Sequence, residues 1–295
     1  MPDKGSGAGK VSLKTHLLVF ASLLALVLVP GMFWHDVWFG RALDDAELEA
    51  YLNDETSARR MQHGLAQLGE RMGRGDPEAR RWYPRVMELA GHDQPEIRNL
   101  SAWLMGQDAS EGAFRQSLAE LLKDSNPLVR RNAALSLVRF GDGRGRPEFR
   151  AMLRPWVVES PRAGRLRLLV EEDDEVRSGS PVAEIGEGET SVAVQVPVAG
   201  TAANLAEDGQ EVDAGAELMV LLPDPVHLWE ALRALYLVGT EEDLELVELY
   251  LGDGEENESI RSQAQLTREA ILKRSIRREE KISESGTGDQ KGSDP

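Results

Sequence analysis

The chain has 295 residues, with 34 Lys+Arg against 51 Asp+Glu, five histidines, no cysteine and a formal net charge of −17. That length accommodates one or two domains of ordinary size, and the negative balance argues against a nucleic-acid binder, which needs a cationic surface to displace counterions from phosphates. The lack of cysteine excludes disulfides, thiolate catalysis, zinc ribbons and cysteine-held iron–sulfur clusters.

Residues 1–16 are polar, carry Lys4, Lys10 and Lys14, and read as a cytoplasmic tail. From Leu17 to Trp34 the chain is uncharged. As a helix this run would measure roughly 27 Å, close to the hydrocarbon thickness of a bilayer. Trp34, Trp38 and Phe39 at its far end suit an aromatic interfacial belt, so 17–38 is expected to be a single-pass transmembrane anchor. Lysines precede the run, while Asp36, Asp44, Asp45 and Glu47 follow it. The charge asymmetry predicts a cytoplasmic N-terminus in a cell inner membrane, with the bulk of the chain on the periplasmic or extracytoplasmic side. No A-x-A site ends the run, and Pro30-Gly31 is followed by further apolar residues, which favours an uncleaved anchor over a signal peptide.

Between 43 and 155 the apolar spacing is helical and the breaks recur. Asp93-Gln94-Pro95-Glu96-Ile97-Arg98 aligns with Ser125-Asn126-Pro127-Leu128-Val129-Arg130, with Pro95 and Pro127, Arg98 and Arg130, and Ala102 and Ala134 each 32 apart. Proline in the first turn starts a helix without wasting a donor. A looser copy runs Glu258-Ser259-Ile260-Arg261, and a weaker one follows Ser57-Ala58-Arg59-Arg60. This pattern resembles the HEAT family of helical-hairpin repeats, whose second helix opens with a P-x-[IV]-R-x-x-A signature. The resemblance covers 43–155 and returns over 226–275. It implies a solenoid that offers an interaction surface in preference to a catalytic cleft. Arg98, Arg130 and Arg261 are expected to form an Arg–Asp ladder between adjacent repeats.

Over 157–223 the composition changes. No Phe, Trp or Tyr occurs from Val157 to Val226, and short Val/Leu runs alternate with Gly and Pro, a strand-and-turn signature. The segment repeats internally: Pro161 and Pro197, Gly164 and Gly200, Val176 and Val212, and Gly179 and Gly215 are all 36 apart. Gly164 and Gly200 are expected at tight turns, and Gly179 and Gly215 at positive φ. The motif resembles the two half-motifs of the biotinyl/lipoyl carrier domain and the related barrel-sandwich domain of HlyD-type membrane-fusion adaptors. A carrier needs a lysine eleven residues before the second glycine, and that position is Glu189, which cannot form the amide through which biotin or lipoate is attached. No cofactor is therefore expected. The short link between the halves also leaves no room for the long hairpin arm that the resemblance would imply for an adaptor. Fourteen acidic residues against four arginines over 158–222 supply ten of the seventeen net negative charges. The run Glu171–Glu175 reads as a solvated turn, with a surface for a basic partner as the alternative.

His227–Gly239 and Glu242–Leu251 read as amphipathic helices, and the helical repeat resumes through 275. The remaining 276–295 is charged, rich in Gly and Ser, and is expected to be disordered. The histidines are scattered without metal spacing, and no nucleophile elbow, phosphate loop or dinucleotide fingerprint occurs. Trp103 and Trp229 lie within helical apolar stripes and read as core.

The expected fold class is α+β and multi-domain: an N-terminal transmembrane helix, a HEAT-like α-solenoid and a small all-β barrel-sandwich domain. The expected function is a membrane-anchored, non-catalytic scaffold or assembly subunit that docks protein partners, the subunits of a membrane complex, with no nucleic acid and no small-molecule substrate expected. The alternative is a shortened HlyD-type adaptor of a transport system.

Overall fold

The computed structural model describes residues 42–252 and 257–287. The expected tail 1–16 and anchor 17–38 lie outside these residues. The chain divides into units 1–50 and 51–295. Helix α1 (Asp45–Leu52), which runs over that boundary, begins behind a capping box in which Asp44 Oδ1 accepts from Glu47 N–H at 2.9 Å and Glu47 Oε2 accepts from Asp44 N–H at 3.1 Å.

The second unit alternates two kinds of helix. The first helices of successive hairpins are α3 (Tyr83–Leu89), α5 (Gly112–Leu121), α7 (Arg146–Met152) and α9 (Leu244–Glu248). The second helices are α2 (Ala58–Gly73), α4 (Pro95–Met105), α6 (Pro127–Arg139), α8 (Pro225–Val238) and α10 (Glu258–Thr287). Each second helix packs on the next, from α2 through α4, α6 and α8 to α10. Proline at N1 starts α4, α6 and α8, and Asn126 and Asp224 cap the last two by accepting from Leu128 N–H at 2.8 Å and Val226 N–H at 2.9 Å. Two positions after Pro95, Pro127 and Glu258 the anchors Ile97, Val129 and Ile260 are all buried, whereas the same place after Pro225 is His227.

Between α7 and α8 the chain leaves the helical rows and forms eight strands: β1 (Trp156–Glu159), β2 (Gly164–Leu168), β3 (Glu175–Val176), β4 (Pro181–Ile185), β5 (Val192–Gln195), β6 (Gly200–Ala203), β7 (Glu211–Val212) and β8 (Glu217–Pro223). They are an insertion within one hairpin. Pro127 and Pro225 are 98 apart, 66 more than the repeat unit, which is close to the length of the strand region. Phe149 and Leu153 still share one buried core with Leu228, Leu232 and Leu235 across that gap. The insertion is tolerated because its ends meet: β1 and β8 are antiparallel neighbours, with Trp156 opposite Leu221.

The sheets run β1-β8-β6-β3 and β5-β4-β2-β7. The 36-residue repeat is visible in their register. β3 of the first half pairs with β6 of the second, Val176 opposite Gly200, while β7 of the second half pairs with β2 of the first, Val212 opposite Gly164. The enclosed core obeys the same offset, joining Val158 with Val194, Leu166 with Ala202, Val182 with Leu218 and Ile185 with Leu221.

Three expectations need correction. The fold is a helical repeat region with a small strand region, and among the described residues no helix is long and apolar enough to cross a membrane. The strands do not close into a barrel: they form two separate four-stranded sheets, because the edge strands β3 and β7 are two residues each and end before they can join one sheet to the other. The segment from 276 is helical as far as Thr287, since Arg, Glu, Lys and Ile are compatible with a helix already nucleated on α8. The final residues, 288–295, lie outside those described.

Gly164 and Gly200 open strands instead of turns. A Cβ at Gly200 would strike the Leu222 carbonyl oxygen of β8, whereas Gly179 and Gly215 have φ of +83° and +80° in open space. Gly200→Ala is therefore expected to cost about 1–3 kcal/mol through displaced backbone, and Gly179→Ala about 1–2 kcal/mol through left-handed strain alone. Urea unfolding of the two variants measures both, and a neutral Gly200→Ala would contradict the close β6–β8 approach.

Candidate functional site

The arginines of the repeat signature lie at the joints between hairpins. Arg98 Nε and Nη2 donate to the two carboxylate oxygens of Asp124 at 2.6 and 2.8 Å, and its Nη1 donates to the carbonyls of His92 and Asp93, both at 2.9 Å. Arg130 repeats the arrangement one unit later. Its Nη1 donates to the Asp124 and Ser125 carbonyls at 2.8 and 3.1 Å, and its Nε donates to Glu148 Oε1 on α7 at 2.7 Å. Arg261 occupies the corresponding place in α10, half-buried after the buried Ile260. The bidentate, little-exposed Arg98–Asp124 contact, and the carbonyl bonds that Arg98 and Arg130 add, make these joints geometric restraints as well as charge pairs.

A parallel set was not legible in the sequence. Arg115 Nε donates to Asp142 Oδ2 at 2.7 Å, Tyr83 OH to Asp108 Oδ2 at 2.9 Å, and Arg150 to Asp243 and, at 2.9 Å, to Glu242. The 34-residue spacing of Asp108 and Asp142 is the signal that could have found part of it. Hydrogen bonds from Arg144, then from Arg115, outweigh burial and hold the Asp142 carboxyl well below the ordinary carboxylate range. Burial works to raise Asp124, but the bonds from Arg98 and Asn126 N–H win and its value is lowered. Burial, aided by Asp108, pushes the Tyr83 hydroxyl up to about 12.

Buried hydroxyls tie the second helices together directly. Ser136 Oγ donates to the Ala102 carbonyl at 2.9 Å and Thr267 Oγ1 to the Leu232 carbonyl at 2.8 Å. Gly106 leaves room for Ser136, whose side chain a Cβ there would strike.

The opposite side of the second helices is open. It carries Asn99 and Asn132, joined by a 2.6 Å amide bond, then Gln107 and Arg139, joined at 3.0 Å. Trp103 is 42 % exposed and Tyr236 40 %. Arg233 lies 5.2 Å over the half-buried Trp229 ring. The expectation that the tryptophans are core is corrected for Trp103, whereas Trp229 is part-buried and packs against the core that holds Leu228, Leu232 and Leu235. Trp103 is off the buried row Ile97, Ser101, Leu104, and it lies with one edge against Gly69 of α2 and the remainder in solvent.

In the strand region Glu172 and Asp208, again 36 apart, cap the opposite half: Glu172 Oε1 accepts from Asn204 N–H at 2.9 Å and Asp208 Oδ1 from Leu168 N–H at 2.7 Å. The acidic run thus contains a structural member, while Glu171, Asp173 and Glu175 face solvent. Glu189 lies in the turn Gly188–Thr190 between β4 and β5. Among the described residues no group of three or more His, Asp or Glu could hold a metal ion.

Residues 83–172 match a family model described as HEAT repeats. The match includes two helical hairpins and runs on into β1 and β2. A designed armadillo repeat protein, YIII(Dq)4CqI, is similar at 12% identity with a TM-score of 0.38, covering 76% of this chain and 80% of that one. No curated protein matches the sequence.

Asp124 and Asp142 have lowered folded-state values, so their stabilisation is complete above the ordinary carboxylate range and is lost as pH falls through the folded value. Asp124→Asn is expected to cost about 1–3 kcal/mol near neutrality and to flatten the loss of stability on acidification. Denaturant unfolding between pH 7 and pH 3 tests this, and a variant with the wild-type pH slope would refute it.

Proposed function

We propose that this chain is a non-catalytic scaffold that docks a protein partner on the open face of its second helices. One observation carries the reading: Trp103 on α4 and Tyr236 on α8, the second helices on either side of α6, are 42 % and 40 % exposed, and Arg233 of α8 lies over the part-buried Trp229 ring. Trp, Tyr and Arg are the residue types that dominate interface energetics. The clamped joints behind that face hold its side chains in fixed register, which reduces the ordering cost of binding. The acidic strand insertion is a second surface, suited to a basic partner.

We further propose that the scaffold acts beside a membrane, within a complex of membrane subunits. This rests on the sequence from Leu17 to Trp34 and on the lysines before it. The shortened transport adaptor is the weaker reading, because β4 and β5 are joined only by residues 186–191, without an extending arm.

In-membrane crosslinking of the full chain followed by mass spectrometry is expected to recover a stoichiometric partner. Trp103→Ala with Tyr236→Ala should reduce that recovery by about tenfold or more, with the far-UV spectrum unchanged, and Arg139→Glu should reduce it without touching an aromatic residue. Recovery of the chain alone, or undiminished capture by both variants, would overturn the docking reading. The full chain is also expected to resist alkaline extraction from membranes, and to be digested by protease added to intact spheroplasts, whereas a chain without 17–34 should be extracted. Release of the full chain at alkaline pH would refute the membrane reading and leave the docking one standing.

A further inference from the structure

Arg131 lies on α6 on the side that meets the strand insertion and is only 9 % exposed. The other inward-facing arginines nearby are all engaged: Arg98 with Asp124, Arg130 with Glu148, Arg150 with Glu242. Among the described residues, no hydrogen bond and no ion pair is made by the Arg131 guanidinium, whose nitrogens are largely covered without being sealed from solvent. Glu148, whose charge reaches it, has already given Oε1 to Arg130 at 2.7 Å. Burial accordingly lowers Arg131 from the ordinary arginine value.

A second group across the same gap is also unsatisfied. His227 Nδ1, in the first turn of α8, is buried without a hydrogen-bond partner. The closest carboxylate oxygen, Asp224 Oδ1, is 3.8 Å away and accepts instead from the backbone N–H groups of Val226 and His227. Arg131, His227 and the exposed Arg154 line one cleft of about 10 Å³, walled by Met152, Trp156 and Leu221. That volume admits one water-sized group. A charge largely withdrawn from water is costly unless it is paired, and fully buried polar atoms such as His227 Nδ1 are almost always satisfied in folded proteins. The 14-residue helix α8 also begins here, directing its positive end at the gap. Asp224 at the rim opposes an anion, although its capping bonds draw its charge toward the helix amides.

We propose that the cleft between α6, α8 and the strand insertion is an oxyanion site, in which Arg131 and the Nδ1–H tautomer of His227 hold one oxygen of a carboxylate or phosphate group and Arg154 meets the remainder at the mouth. The apolar walls strengthen these bonds by excluding water. The site is separate from the open helical face, so it stands whether or not that face binds a partner.

The test follows thermal unfolding and calorimetric binding of the full chain with inorganic phosphate, acetate and a synthetic poly-glutamate peptide, at constant ionic strength balanced with chloride. Wild type is expected to gain about 2–4 °C in Tm at saturating anion. Arg131→Met should abolish the response. Asp224→Asn, which keeps a capping side chain, should tighten binding severalfold, and Arg154→Ala should weaken it. A response to phosphate or acetate assigns a small free oxyanion, while a response to the peptide alone assigns the same group carried on a chain. If Arg131→Met does not fold, the opposite shifts of Asp224→Asn and Arg154→Ala decide. No response in wild type, or identical responses in all folded variants, would overturn the proposal and leave Arg131 solvated by water.

Discussion

The arginine–acid clamp at each joint between hairpins is the constraint on which the helical part depends. A single hairpin cannot cover its own flank, so stability is distributed over the joints between neighbours. Apolar packing alone would tolerate sliding along the helix axes. Arg98 prevents this by holding the turn before its own helix through two carbonyls and the turn before the next through Asp124. Arg130 does the same with Asp124, Ser125 and Glu148. Asp124 thus serves both joints, through its carboxylate for one and its carbonyl for the other. Ser136 and Thr267 add short bonds between second helices at the places where small side chains permit close approach.

The strand insertion is accommodated by the same joint logic. Arg150 on α7, before the insertion, reaches Glu242 and Asp243 after it, so the hairpin interrupted by eight strands is still clamped to the one that follows. The insertion closes on itself by exchange: the short third strand of each half, β3 or β7, pairs with a strand of the other half, and each sheet takes two strands from each half. Neither half can bury Val176 or Val212 without the other, since these valines sit opposite the glycines that begin the partner strands. The duplicated sequence therefore encodes one interlocked body.

Much of this was legible in particular residues. Pro95 and Pro127 mark helix starts because proline at N1 costs no hydrogen bond. Arg98 and Arg130 at a shared offset of 32 mark the joints, and four positions at a shared offset of 36 mark the strand duplication. Other features were hidden. Trp103 reads as core because it is aromatic and lies among apolar residues, and only packing against Gly69 reveals which edge stays outside. Arg150 and Asp243 are 93 residues apart and match no repeat position, so no local pattern joins them. Charge and low apolar content after Ser275 suggest disorder, but a helix already nucleated on α8 continues at little further cost.

By itself the sequence determined the alternation of helical repeats and strands, the boundaries near 155 and 225, the duplication, and Glu189 where a carrier would need lysine. These are properties of residue type and spacing, set by backbone chemistry within a few turns of chain. Tertiary structure alone decided that the strands sit inside one hairpin and stay as two open sheets. It also decided that Trp103 is left part-exposed and that Arg131 and His227 line one cleft. Each of these depends on segments distant in sequence coming together, and the free energy of such contacts lies in packing geometry that no single stretch of chain contains.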